Sequence, residues 1–218
     1  PYTLGISAAA AVGASLAIIF GFGQSAGGQW LIVASAFAFA LLCAVVVFGT
    51  GLRVGTSPET VILTGIALMY LFMAGTATIQ FLASEEQLAS VVHWTFGSLT
   101  RAGWPAVTAM AIVSLVSWPF FFRHAWSLNA IASGGDDFAR SLGVPVERVR
   151  FVLCIVAVLL TSTVISFTGV IGFVGLVAPH MARILIGTDH RLLLPFSAVV
   201  GAWLLLAADA AGRLLFAP

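Results

Sequence analysis

The sequence predicts an all-α, polytopic transmembrane helical bundle of about seven spans, and three observations carry that prediction. Hydrophobic residues make up 61% of the chain and charged residues 8%, against roughly 25% charged in a soluble domain. Apolar runs long enough to cross a bilayer recur along the whole length. These runs lack the alternation of barrel strands, and only helices or closed barrels satisfy the backbone in lipid. The formal net charge of +1 gives no electrostatic case for nucleic acid as a partner. Because the first run has no basic leader, no removable signal peptide is expected. Cys43 and Cys154 stand alone in apolar runs without a Cys/His cluster. No bound metal or disulfide is therefore expected, and both read as small core residues.

The first predicted span is 4–22, where Gly5, Ser7, Gly13 and Ser15 allow close helix approach. The second is 30–49, opened by Trp30 at interface depth. A loop from Gly49 to Glu59 carries Arg53, and Pro58 suits the first turn of the next helix. The third span, 60–83, is the most polar, with Thr60, Thr64, Thr76, Thr78 and Gln80. Thr64, Gly65 and Met69 are candidate pathway residues there, with interhelical hydrogen bonding as the alternative. Ser84-Glu85-Glu86-Gln87 reads as a helix start, with acids near the positive helix end. His93, Trp94, Arg101 and Trp104 suit an interfacial segment before the fourth span, 104–122.

The largest polar investment follows. His124 to Arg150 holds six of the seventeen Arg, Asp and Glu residues, and it is read as a loop bearing two short helices. The first is Ser127–Ala132 and the second Gly135–Leu142, stopped by Gly143 and Pro145. Asp136 and Arg140, four apart, are expected to pair. Leu128, Ile131, Phe138 and Leu142 give this loop an apolar side that needs a partner.

Residues 151–187 are apolar throughout. As one helix they would reach about 55 Å against a hydrocarbon core of about 30 Å, so the run must fold back. Ser166–Gly169 is the expected turn, giving a fifth and a sixth span. Gly172 and Gly175 are expected to allow tight packing, Pro179 to interrupt the sixth helix, and a buried His180 to share a face with Arg183. The seventh span, 192–215, ends in Asp209-Ala210-Ala211-Gly212-Arg213, where Arg213 can pair with Asp209. Placing the 124–150 loop in the cytoplasm puts seven arginines inside and only Arg101 and Arg213 outside, as the positive-inside rule asks.

Three stretches together carry a resemblance. They are Ala139-Arg140-Ser141-Leu142-Gly143, the run from Gly169 through Pro179-His180 to Arg183, and Asp189-His190-Arg191 continuing to Pro195. With Gly201-Ala202 and Ala208-Asp209 before Arg213, the pattern closely resembles the FecCD permease family. Pro1-Tyr2-Thr3-Leu4-Gly5-Ile6-Ser7 resembles the start of that family's third helix, and Trp94–Leu99 its external segment before the sixth. The family's members are membrane subunits of bacterial ABC importers for iron–siderophores, haem and vitamin B12, with about ten helices. The resemblance thus implies a partial chain covering the third to the ninth.

It implies further that Asp136, Asp137, Phe138, Arg140, Leu142 and Gly143 belong to coupling helices docking on an ATPase, and that Arg213 receives an acidic residue of a binding protein. The loop Thr56-Ser57-Pro58-Glu59 lies where related importers place a cytoplasmic gate, although Pro58 and Glu59 replace the small polar residues expected there. Gly172, Gly175, Pro179, His180 and Arg183 form the family's signature motif.

The expected partners are a second permease subunit, two cytoplasmic ATP-binding subunits, a periplasmic or lipid-anchored substrate-binding protein, and membrane lipid. The expected location is the bacterial cytoplasmic (inner) membrane. No Gly-x-x-x-x-Gly-Lys-Ser/Thr loop exists in the chain. ATP and Mg are therefore expected on the partner, with no cofactor on this chain and no enzymatic activity of its own. A ferric siderophore is the expected cargo, with vitamin B12 or haem as alternatives. An ion-coupled secondary transporter is the reading from another class, but it needs ionisable residues in mid-span, and only Gln80, His180 and the more terminal Asp209 are polar candidates.

Overall fold

The computed structural model describes residues 3–22, 27–54 and 58–216, with side chains at all of these except 51–54, 58 and 216. Pro1, Tyr2, Thr56 and Ser57, and the side chains of Arg53 and Pro58, lie outside the described residues. The α-helices are α1 (Ile6–Ile19), α2 (Gly28–Val54), α3 (Pro58–Leu82), α4 (Glu85–Thr95), α5 (Trp104–Ser141), α6 (Val146–Thr168), α7 (Val174–Ile186) and α8 (His190–Phe216). A 3-10 turn covers Leu99–Arg101. No strand occurs among the described residues.

By length and composition α2, α3, α5, α6 and α8 can cross a membrane. The predicted first and sixth spans are shorter: α1 has 14 residues and α7 has 13, about 20 Å each and less than the hydrocarbon core. The chain divides into two compact units, Pro1–Val113 with Val158–Ile171, and Ser114–Ala157 with Gly172–Pro218. Helices α5 and α6 run from one into the other.

The first unit is built around α1. Its sequence, ISAAAAVGASLAII, has no polar face and few bulky side chains, and a helix apolar all round is one that is buried. Ala9, Ala10 and Ala14 are fully enclosed, with Ser7 and Ser15 also buried. Small side chains let the neighbouring backbones close in. A Cβ built on Gly13 would lie 2.5 Å from the Ser35 carbonyl oxygen of α2, and Ser35 Oγ donates to the Gly13 carbonyl at 2.7 Å. A Cβ on Gly65 of α3 would lie 2.7 Å from Leu4 Cα.

Helix α4 starts as its sequence predicts. The Gln87 N–H donates to Ser84 Oγ at 3.4 Å and the Ser84 N–H to Gln87 Oε1 at 3.1 Å, a reciprocal capping box. Gln87 Nε2 also donates to the Ile19 carbonyl, which ties α4 to the end of α1. The helix break expected at Ser166–Gly169 is present: α6 ends at Thr168, Gly169 takes φ 78°, and the Ser98 N–H donates to the Thr168 carbonyl at 2.7 Å.

In the second unit two sequence expectations fail. The 124–134 stretch is not a loop with its own short helix, because α5 continues unbroken from Trp104 until Gly135. Polarity ends a membrane span, but only backbone chemistry ends a helix, and residues 124–133 contain neither Gly nor Pro. Likewise Pro179 does not interrupt α7, which runs through it. Sitting six residues in, Pro179 withholds one N–H from the ladder. Helix α7 packs on α8 with Ala178, Ala182 and Leu193 buried.

Candidate functional site

The polar surface at 134–150 starts at a break in α5. Gly135 has φ 78° and ψ −174°, a conformation open essentially only to glycine. The following turn-and-a-half of helix therefore leaves α5 in a new direction. The absent side chain at Gly134 leaves the space taken by the Phe138 ring, whose Cγ would lie 2.4 Å from a Cβ there. The helix stops at Gly143, φ 81°. There the Gly143 N–H donates to the Arg140 carbonyl at 2.9 Å and the Val144 N–H to the Ala139 carbonyl at 3.0 Å. That bonding pattern is a Schellman stop.

Charges hold this small helix in place. The sequence pairs Asp136 with Arg140, but the structure does not. Asp136 accepts from Arg150 Nη2 at 2.9 and 3.1 Å, while Arg140 bridges Asp137, at 2.9 Å, and Glu147. The reason is that Arg150, on the first turns of α6, lies on the Asp136 side, which sequence spacing alone does not reveal. Ala139, Val146 and Val149 are buried, whereas Phe138 is 46% and Leu142 60% exposed. The carboxylates of Asp136, Asp137 and Glu147 all have arginine partners. What this surface offers is two apolar knobs beside three paired carboxylates, an arrangement suited to protein docking rather than to chemistry.

A second cluster lies in the same unit. Asn129 Nδ2 donates to Asp189 Oδ1 at 2.7 Å, and Asn129 Oδ1 accepts from the His190 N–H at 2.8 Å and lies 2.7 Å from His190 Nδ1. Asp189 Oδ1 also accepts from the Arg191 N–H at 3.0 Å, which makes Asp189 the side-chain cap of α8. The hydrogen bond from Asn129, and then that from the Arg191 backbone, hold the Asp189 carboxyl below the ordinary aspartate range. The Arg191 guanidinium lies 4.2 Å from the centroid of the Trp126 ring. Reading the sequence locally picks out Asp189-His190-Arg191 without a role and misses Asn129 altogether. Its partners are 60 residues away, and no short-range periodicity reports such a pair.

Arg213 is exposed, and its Nε donates to Asp209 Oδ2 at 2.8 Å. Pro58 opens α3 and Glu59 is exposed beside it. Thr64 is half-buried. Gly65 is buried against the Thr3–Leu4 backbone. Met69 lines a cavity of about 370 Å³ together with Ser7, Thr76 and Gln80. Two of the span's threonines bond within their own helix, Thr76 to the Phe72 carbonyl and Thr78 to that of Ala74.

A Cβ at Gly172 or Gly175 would meet nothing within 4 Å, so the close packing expected of them is instead at Gly13 and Gly65. His180 and Arg183 are exposed; the reading of His180 as buried does not hold, since α7 turns Ala178 and Ala182 inward instead. Among the described residues no group of three His, Cys, Asp or Glu could hold a metal ion.

Helices of this length and hydropathy, with no strand among the described residues, define a multi-pass helical membrane protein. The chain belongs to the FecCD transport family, whose family model matches residues 1–218. It is 46% identical to the MJ0087 protein of Methanocaldococcus jannaschii, which is named as an ABC transporter permease, over 100% of this chain and 64% of that one. It is 36% identical to the cobalamin import system permease protein BtuC of Halobacterium salinarum, over 98% of this chain and 56% of that protein. With the hemin transport system permease protein HmuU of Yersinia pestis it shares 33% identity, over 100% of this chain and 65% of that protein. A solved structure described as a metal-chelate type ABC transporter in an inward-facing conformation superposes with a TM-score of 0.88 at 30% identity, covering 98% of this chain and 67% of that one. The chain thus spans about three fifths of the length of these curated relatives.

Proposed function

We propose that this chain is the greater part of the permease subunit of a binding-protein-dependent ABC importer for metal chelates, with a ferric siderophore as cargo. The observation that carries the reading is the 136–141 helix. It is set off by Gly135, stopped by Gly143, pinned by arginine pairs, and tipped with exposed Phe138 and Leu142. A small apolar-tipped helix held by five charged side chains, Asp136, Asp137, Arg140, Glu147 and Arg150, is built to be gripped by another protein. Membership of the family supports an ATP-binding subunit as that protein.

In this reading two permease subunits enclose the pathway in the cytoplasmic membrane, ATP and Mg are handled by two partner ATPases, and closure of the ATPases displaces the 136–141 helix. The distribution of arginines supports placing that helix on the cytoplasmic side. Relatives named for cobalamin and hemin support those chelates as the alternative cargoes.

The test is reconstitution of the full-length permease with its ATPase and binding protein in proteoliposomes. ATP-dependent uptake of a ferric siderophore is expected; ATP-dependent uptake of cobalamin or haem alone would move the cargo, and uptake without any ATPase would remove the importer reading. Within that system Phe138→Ala is expected to weaken ATPase-subunit binding about tenfold, as truncating an apolar anchor does. Unchanged affinity would sink the docking role. Arg213→Glu is expected to weaken docking of the binding protein, because the reversed charge repels an acidic partner. The existing pair with Asp209 is exposed and of the kind that contributes little, so Arg213 is available for a second carboxylate. A dissociation constant unaltered at low salt would defeat this assignment.

A further inference from the structure

We infer that Asn129 is a positioning residue which carries displacement of the 136–141 helix to the start of α8, and this rests on the importer reading above. Signals between distant sites need a physical link with a defined geometry. From Asn129 to Gly135 α5 is unbroken helix, about 9 Å of rod between the cluster and the hinge. At its other side Asn129 holds α8 by three contacts. Its Oδ1 accepts from the His190 N–H at 2.8 Å and meets His190 Nδ1 at 2.7 Å, while its Nδ2 donates to Asp189 Oδ1 at 2.7 Å.

The effect is that α8 is capped jointly by its own Asp189, which takes the Arg191 N–H, and by an amide from another helix, which takes the His190 N–H. Trp126 lies one turn before Asn129 on the same face of α5 and holds the Arg191 guanidinium at 4.2 Å. Two straps from one face of α5 therefore land on the three consecutive residues 189–191. Because α7 joins α8 through Gly187 to Asp189 and packs along it, moving this cap moves the hairpin. Asn suits position 129 because its carboxamide presents a donor toward a carboxylate and an acceptor toward an N–H at once.

A local cap and a transmission link differ in what they disturb, and exchange of the two side chains separates them. In the reconstituted full-length transporter, Asn129→Asp places two carboxylates at the 2.7 Å contact. Uptake should fall about tenfold, within the range known for residues that link two sites. ATP hydrolysis and ATPase-subunit binding should stay within about twofold. Adding Asp189→Asn should restore uptake, because Asn at 189 can donate to Asp at 129, which still accepts the His190 N–H.

Uptake retained in Asn129→Asp, a double variant no better than the single ones, or uptake and ATPase-subunit binding lost together would each overturn the inference. If the Asn129→Asp permease does not itself fold, shown by aggregation of the isolated subunit in detergent, Asn129→Ala removes the link without setting like charges together. Uptake lost with hydrolysis kept is expected of it, and unchanged uptake would overturn the proposal. A wild-type complex without ATP-dependent uptake would instead sink the importer reading itself.

Discussion

Replacing Gly143 by proline is expected to uncouple ATP hydrolysis from uptake. Gly143 sits at φ 81° and donates its N–H to the Arg140 carbonyl at 2.9 Å. Proline locks φ near −65° and has no N–H, so both the left-handed turn and the bond are lost. The adjoining bond from the Val144 N–H to the Ala139 carbonyl, at 3.0 Å, depends on the same turn. Phe138 and Leu142 then lose their fixed presentation. At least about a tenfold loss of uptake is expected, as for removal of a central docking anchor, with the ATPase still turning over. Gly143→Ala keeps the N–H and carries only the cost of a left-handed non-glycine residue, about 1–2 kcal/mol, so a graded defect is expected. Normal uptake together with normal ATPase stimulation in Gly143→Pro would refute the coupling role of this helix.

The largest expected effect on the fold is from Gly13→Val. The first carbon of the new side chain would lie 2.5 Å from the Ser35 carbonyl oxygen and 3.0 Å from Phe39 Cβ. The first of these is backbone, which cannot rotate away, so α1 and α2 must separate. Such overpacking costs about 3 kcal/mol, and the loss falls on the helix at the centre of the first unit, with the Ser35 to Gly13 hydrogen bond lost besides. Thermal unfolding in detergent should show a clear drop in midpoint. Gly175→Ala is the contrast: a Cβ there meets nothing within 4 Å, so a change of under about 1 kcal/mol is expected. Equal destabilisation by the two would mean that the α1–α2 contact is not what Gly13 is for.

These positions also mark where sequence stops being informative. Class and element order were legible because they follow from local rules. Long apolar runs with almost no charge and no strand alternation permit only helices in lipid. Ser84 and Gln87 stand at capping-box spacing, an apolar run too long for one bilayer must turn, and Gly143 followed by Pro145 must end a helix. The exposed apolar tip at Phe138 and Leu142 was legible for the same reason, since one short helix generates it.

The tertiary structure alone decided the pairings. Asp136 has Arg140 four residues away, yet it bonds Arg150, because the turn at 142–145 brings the start of α6 alongside. Asn129 meets Asp189 and His190 across 60 residues, and only the placement of the start of α8 next to Asn129 makes that contact. Glycines with identical local signals divide in the same way: Gly13 and Gly65 are crowded by backbone, whereas Gly172 and Gly175 are open. In a helix that is apolar on every side the hydrophobic pattern marks no face. Local sequence therefore specified that these helices form and that they end at Thr168 and before Gly143, while the choice of which helix lies against which was left to packing.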